Sequence, residues 1–461
     1  MNSLVAIMLQ RGQRHYALLL VAAVFAVYLN ALRGPFQFDD YMVIIEEPTV
    51  HSFSAWLSYL PQGIRPLLKF TYTLNWVSGM GVLGFHLFNI AVHAANALLV
   101  YLLSLRLISV YPEGRRAAFF AALFFVLHPV QTEAVTYISG RSSSLMAMFY
   151  LGSLLAYDRG VRLKNKLALY LLSPLLFVMA VAAKETAVTL PFALLLWEAV
   201  SRDRSEPWRK ALCRQAVHWA LLAGLFALLV LNQRYLSLFI YSARLRTAWS
   251  NLLNQINGVF YLLGQTIFVN RLNIDPDLPV VSGWSVPLAF RLAFLLMLFA
   301  AGLMNFRKRP WLWFGVLWVF LQLLPTNSII PRADIANDRQ MYLPIFGLSL
   351  VFGVYAQQLY AELKGKAGVL AVFLLLGLFT VLRNEDFRSE IALWEDTREK
   401  SPAKARVHNN LGYAYFLEGR YEDARAAYLS ALAIDPDLKR ARNNLALING
   451  ISPSTAPATV R

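Results

Sequence analysis

"YALLLVAAVFAVYLNALRGPFQFDDYMVIIEEPTV" runs from Tyr16 to Val50. Its first 17 residues, Tyr16–Leu32, carry no charged side chain, and about that many apolar residues in a helix cross the hydrocarbon core of a bilayer. Arg11 and Arg14 stand before the run, and Gly34–Pro35 breaks it. Asp39 and Asp40 then follow side by side, where carboxylates are costly unless solvated or used. The stretch reads as an uncleaved first membrane helix that opens into an acidic loop. The many later apolar runs, and the lack of a convincing small-residue cleavage site, speak against a signal peptide.

The rest of the chain repeats the first half of this pattern. Of 461 residues, 57% are hydrophobic and only 15% charged, against about 25% charged in soluble domains; the mean hydropathy is +0.48. The expected fold is all-α, a polytopic bundle of about 11 transmembrane helices. The spans centre near residues 24, 96, 123, 150, 175, 193, 225, 294, 318, 350 and 375. The net charge of +16 does not call for nucleic acid, because the Lys and Arg residues cluster in short loops. Five such clusters, around Arg106/Arg116, Arg159/Lys166, Arg202/Arg214, Arg307/Arg309 and Lys364/Lys366, fall on one side when the spans are counted this way. The positive-inside bias then puts that side and the N-terminus in the cytoplasm. Cys213, the single cysteine, lies in one of these loops and excludes an internal disulfide framework.

The opposite side receives a first outer loop (33–83), "HPVQTEAVTYISGRS", a loop from about Phe239 to Trp284 and "PTNSIIPRADIANDRQMYLP". Within the third, "INGVFYLLGQTIF" is too short to span and is expected in the interface. The domain reading is a membrane domain over 1–384, a helical module over 385–450 and a disordered tail over 451–461. In the module, "ARVHNNLGYAYFLEGRYEDARAAYLSALAIDPDL" fits one tetratricopeptide repeat. Leu411, Gly412, Tyr415, Ala424, Tyr428, Ala431 and Pro436 hold the pattern's positions, with His408 in place of the usual Trp. Glu385–Pro402 reads as the second helix of an earlier repeat and Arg440–Leu447 as the start of a third. So short an array cannot bury a large core alone, so the module should pack on the membrane domain or on a partner.

The outer loops hold the candidate chemistry. Adjacent carboxylates diverge in a strand and in a helix alike, so Asp39 and Asp40 should have unequal jobs. One is a base aimed at a cavity; the other holds a structural hydrogen bond, an ion or an arginine such as Arg65. A plain helix cap explains the pair equally well. His128, Glu133 and Arg141 read either as interfacial anchors and caps or as a phosphate site. Lys184 and Glu185 form a local ion pair, or Lys184 meets a lipid-linked phosphate. Asp338 and Arg339 stand at the mouth of another span, and an arginine fork suits phosphate. Dispersed cations with a carboxylate base suit transfer from a polyprenyl-phosphate donor. No Walker-type loop, zinc spacing, Gly-x-Ser-x-Gly or Cys–His pair is present, which argues against a nucleotide-dependent reaction.

These pieces resemble the GT-C membrane glycosyltransferases, and most closely bacterial relatives of the transmembrane-and-TPR O-mannosyltransferases. The resemblance rests on "FQFDDYMVI", "RPLLKFTYTLNW", "GFHLFNIAVHAANALLVYLL", "HPVQTEAVTYISGR", "KETAVTLP", "DRQMYLP" and the terminal repeat, in that order. It implies an outer cavity and inverting transfer of a mannose or other hexose from a polyprenyl-phosphate carrier to Ser/Thr hydroxyls of exported proteins. It makes the acidic pair catalytic, with Asp39 favoured as the base. Arg65, His128, Arg141, Lys184 and Arg339 become donor-phosphate or lipid contacts, and Glu133, Glu185 and Asp338 supporting acids. Some relatives use a divalent metal and others do not, so metal dependence stays open. The implied setting is the bacterial inner membrane, with the site and the TPR on the periplasmic face. An oligosaccharyl ligase or polymerase of the O-antigen type, and a TPR scaffold without enzymatic activity, are the rival readings. The sugar, the lipid length and the acceptor are not encoded legibly.

Overall fold

The computed structural model describes residues 11–61, 63–108 and 113–450. The tail at 451–461 lies outside the described residues. All regular structure among the described residues is helical, and each of the eleven expected span centres falls inside a helix. Among the described residues four helices are long and apolar enough to cross a membrane alone: Arg14–Arg33, Gly81–Ile108, Val286–Met304 and Gly365–Asp386. Two bent pairs raise this to six, and Ala168–Ala183, Pro310–Leu323 and Ile345–Ala361 are shorter apolar helices. The chain is a multi-pass membrane protein.

Small residues decide how closely the helices approach. A Cβ on Gly347 would lie 2.2 Å from the backbone oxygen of Gly315, so the helices Pro310–Leu323 and Ile345–Ala361 touch backbone to backbone. One turn and a half further on, a Cβ on Gly353 would meet the Ala117 carbonyl at 2.4 Å. This seats the same helix against Gly114–Leu127. Close packing of this kind replaces the hydrophobic drive that lipid does not supply. Between Arg141–Arg162 and its neighbour, Ser153 and Ser173 each donate to the other's carbonyl oxygen, at 2.7 and 2.9 Å.

The basic loops gather at one end of the bundle. Arg116 and Lys366 both stand over the Tyr360 ring, and Arg309 donates to the Tyr355 hydroxyl. Arg106 and Arg162 share the buried Asp158. Cys213 is exposed. The helix that starts near Arg116 ends at Leu127 and bends by 53° into Pro129–Val135, which carries Glu133. The acidic and cationic loops therefore lie at the other end. "INGVFYLLGQTIF" closes the helix Ala248–Gln265, whose buried Asn251 and Asn254 bond the backbone of Ser328 and Val281.

The terminal module consists of the helices Glu390–Lys400, Ala405–Leu417, Tyr421–Ile434 and Lys439–Gly450. Gly412 lets the central pair close, since a Cβ there would meet the Tyr428 ring at 2.7 Å. Gly419, at φ +73°, makes the turn between them in a conformation glycine adopts without penalty. The module packs on the membrane domain: Tyr137, Ile274 and Phe387 share one apolar cluster with Trp394, Leu411 and Tyr428.

Candidate active site

The two aspartates have separate environments. Asp40 is 1% exposed. Its Oδ2 accepts from the Gln37 N–H at 3.0 Å, and its Oδ1 accepts from the Ser139 N–H at 2.8 Å and from the Ser139 hydroxyl. Asp40 thus closes the turn back onto Gln37 and ties it to Ser139. Burial pushes the Asp40 carboxyl up to about 7, against the pull of the Ser139 and Gln37 hydrogen bonds. Asp39 is half-buried. Its backbone N–H donates to the Tyr137 hydroxyl at 3.0 Å, and its carboxylate has no hydrogen bond or ion pair within the described residues. The residue that anchors the turn and the candidate base are thus neighbours in the chain.

The turn that carries them is held from both sides. Phe38 has φ +51°, a left-handed conformation that costs a non-glycine residue about 1–3 kcal/mol unless its surroundings over-determine it. They do so here. The Phe38 N–H donates to Glu390 Oε1 at 3.2 Å, Gln37 Nε2 donates to the Phe387 carbonyl at 2.6 Å, and the Phe38 ring meets Trp394 edge-on at 5.1 Å.

Cations collect beside this turn. Lys184 is 7% exposed, and its Nζ donates to Ser143 Oγ at 2.8 Å. Burial and the neighbouring charges of Arg65, Arg339 and Arg332 push its ammonium well below the usual range. Arg339 lies 3.5 Å from Glu133 across an ion pair, and its N–H donates to Glu133 Oε2 at 2.8 Å. Burial works against the Arg339 charge, but Glu133, Tyr137, Asp39 and Asp334 together raise its pKa. Lys184, Arg339 and Ser143 line one narrow crevice with Gln322 and Gln340, and the buried amide of Gln340 has no hydrogen-bond partner there. Arg65, Lys184, Arg332 and Arg339 thus share one field with the carboxylates of Glu133, Glu185, Asp39 and Asp334.

The remaining expected contacts fall elsewhere. Arg65 does not reach the aspartates; its guanidinium grips Glu185 at 2.5 and 2.9 Å. Lys184 and Glu185 are therefore not each other's partners, because successive side chains leave the turn in different directions. His128 is fully buried, with Nδ1 accepting from the Val130 N–H and Nε2 donating to the Thr266 carbonyl. Arg141 is also fully buried. It donates to Asn89, Thr71 and the Phe85 carbonyl and lies over the rings of Tyr72, Phe85 and Phe88. The structure gives both residues a framework role in place of the expected phosphate contact, since every nitrogen is used internally. Asp338 is buried and accepts from the Asn273 N–H at 2.7 Å.

Arg332, Tyr137 and Ser139 belong to the site, but the sequence reading passed over them. Arg332 had a usable signal, a cation in an outer loop against the positive-inside bias. Tyr137 and Ser139 had none. Among the described residues no three His, Cys, Asp or Glu side chains come close enough together to hold a metal ion.

Fold and site together define a multi-pass helical membrane protein with an acidic turn and a cation cluster at one end, capped by a docked repeat module. A family profile for the tetratricopeptide repeat matches residues 405–438. The chain is similar to the protein O-mannosyl-transferase F38B6.6 of Caenorhabditis elegans, 25% identical over 92% of this chain and 63% of that protein. It is 24% identical to mouse protein O-mannosyl-transferase TMTC3 over 91% of this chain and 51% of the relative. Human TMTC4 is 26% identical over 86% and 63%. The chain thus spans between about half and two thirds of the length of these relatives. Among solved structures, an Archaeoglobus fulgidus oligosaccharyltransferase tethered with an acceptor peptide covers 90% of this chain and 59% of its own, at 12% identity and a TM-score of 0.44.

Proposed function

We propose that the protein is an inverting glycosyltransferase that moves mannose or another hexose from a polyprenyl-phosphate carrier to Ser/Thr hydroxyls of exported proteins. The setting we infer is a bacterial inner membrane with the acidic turn on the periplasmic face. The carrying observation is the division of labour in the acidic pair. Asp40 spends its carboxylate on the turn, while Asp39 keeps its own unbonded within the field of Arg339. The names of the relatives support the same reaction class.

In this reading Asp39 takes the proton of the acceptor hydroxyl. The hydroxyl oxygen bonds to the anomeric carbon as the bond from that carbon to the phosphate oxygen breaks. The charge left on the carrier phosphate is neutralised by Lys184, Arg339 and Arg332. Glu133 holds Arg339 in place, and Glu185 does the same for Arg65.

The test is transfer by the purified full chain in lipid nanodiscs, from synthetic polyprenyl-phosphate mannose or glucose to a Ser/Thr-rich peptide, read by intact mass. The expected result is a one-hexose mass gain that is lost in Asp39→Asn. No gain with either sugar, or full activity in that variant, overturns the assignment.

A further inference from the structure

The repeat module touches the acidic turn directly, and through residues outside the repeat match. The helix Glu390–Lys400 precedes residues 405–438, the segment that fits the repeat. It supplies Glu390 to the Phe38 N–H and Trp394 to the Phe38 ring. The next residue is Asp39. Its N–H is fixed by Tyr137, whose ring lies tilted to Phe38 with centroids 6.5 Å apart. Phe38 is therefore held between the module and the 137–140 turn, and its left-handed conformation sets the direction in which Asp39 leaves the backbone.

A second contact reaches the cation loop. Arg406 joins Asp275 and, at 2.6 Å, Asp334, two residues from Arg332. Lys404 also pairs with Asp275 at 2.5 Å, and Ser401 bonds Asn273 and the Asp277 N–H at 2.8 and 2.9 Å. Two successive helices of the module and the segment joining them thus touch the turn with the base and the loop that carries Arg332.

We propose that Glu390 and Trp394 are positioning residues for Asp39, and that the incomplete repeat is a working component of the active site. A positional error of an ångström at a reacting group costs up to about a hundredfold in rate, and the rotation of Asp39 is set by the single residue that these two side chains hold. The proposal rests on the reading of Asp39 as the base.

The test compares wild type with Glu390→Ala, Glu390→Gln, Trp394→Ala and Trp394→Phe in the full chain. Glutamine keeps an oxygen for the Phe38 N–H, and phenylalanine keeps an aromatic edge. Hydrogen–deuterium exchange over residues 36–41 is expected to quicken about tenfold or more in the alanine variants and to stay near wild type in Gln and Phe. Exchange over 141–162 is expected to be unchanged in all four. In the transfer assay the alanine variants should lose about tenfold in kcat, with the KM for the lipid donor unmoved. Unchanged exchange in both alanine variants overturns the proposal. So does loss in Gln and Phe equal to that in alanine, or a rise in donor KM with kcat intact. If Trp394→Ala also loosens 141–162, the half-buried Glu390 pair decides, because its truncation opens little space in the core. If wild type transfers no sugar, the functional reading fails, and the exchange arm still judges whether the module holds the turn.

Discussion

At the scale of single residues, the site rests on what Asp39 and Asp40 each bond. Asp39→Asn should leave the turn intact and remove the base, reducing transfer by about 10²–10⁴-fold. Asp40→Asn should act differently. An amide cannot accept from both Gln37 and Ser139 without turning its NH2 toward one of those donors. The unmet donor costs about 1–3 kcal/mol, so this variant should lose activity together with protection of the 37–41 amides. The same phenotype in both variants would contradict the split. Arg141 invites a test of framework against ligand. Arg141→Lys removes the planar fork that serves Asn89, Thr71 and Phe85 at once, and should lower stability by on the order of 2 kcal/mol, seen as a drop in the melting temperature of the detergent-solubilised protein. A lysine protein as stable as wild type that has lost only donor affinity would return Arg141 to the phosphate. Glu185 carries a pH signature. Burial alone would raise its carboxyl, but the charge and hydrogen bond of Arg65 bring it down to about 2. A depressed carboxyl stabilises the fold fully above its unfolded pKa of about 4.3 and loses that contribution as pH falls toward the folded value. Between about pH 4.5 and 2 wild type should therefore lose stability more steeply than Glu185→Gln. Parallel melting curves across that range would show that the pair contributes nothing.

At the scale of elements, the glycine contacts set the helix bundle. The Gly315–Gly347 crossing leaves no room for a methyl group on Gly347, so Gly347→Leu must force the crossing helices apart and should cost at least about 1–3 kcal/mol. A melting temperature equal to wild type would mean that the crossing can relax. Gly140 has the same role in the turn before Arg141, where a Cβ would lie 1.9 Å from the Glu133 carbonyl. The helix positions were legible in the sequence because apolar runs separated by basic loops leave few alternatives for a backbone in lipid. These crossings were not, because a glycine inside an apolar helix looks the same whether it faces a neighbour or lipid.

At the scale of the whole molecule, the chain divides as its charges do. The basic loops gather at one end and are held together by Asp158 and the Tyr355 and Tyr360 rings. The acidic turn, the cations and the repeat module gather at the other. The module is no appendage: the Asp275 and Asp334 contacts with Arg406, and the seat of Phe38 under Trp394, join it to three outer loops. The expectation that so short an array must pack on something else followed from its inability to bury a core alone, and the partner it finds is the membrane domain of its own chain.

The sequence by itself determined the helical membrane architecture, the place of the repeat and the acidic pair as the point of interest. Each of these is written in local periodicity, spacing or charge. Only the tertiary structure decided which side chains meet. It turned Arg65 to Glu185 and not to the aspartates, drew His128 and Arg141 into the interior, and brought Arg332 beside Lys184. It also gave Asp40 to the turn while leaving Asp39 free. Those outcomes depend on contacts between residues about 50 to 350 positions apart, and no short-range pattern in a chain encodes which distant donor a buried carboxylate will find.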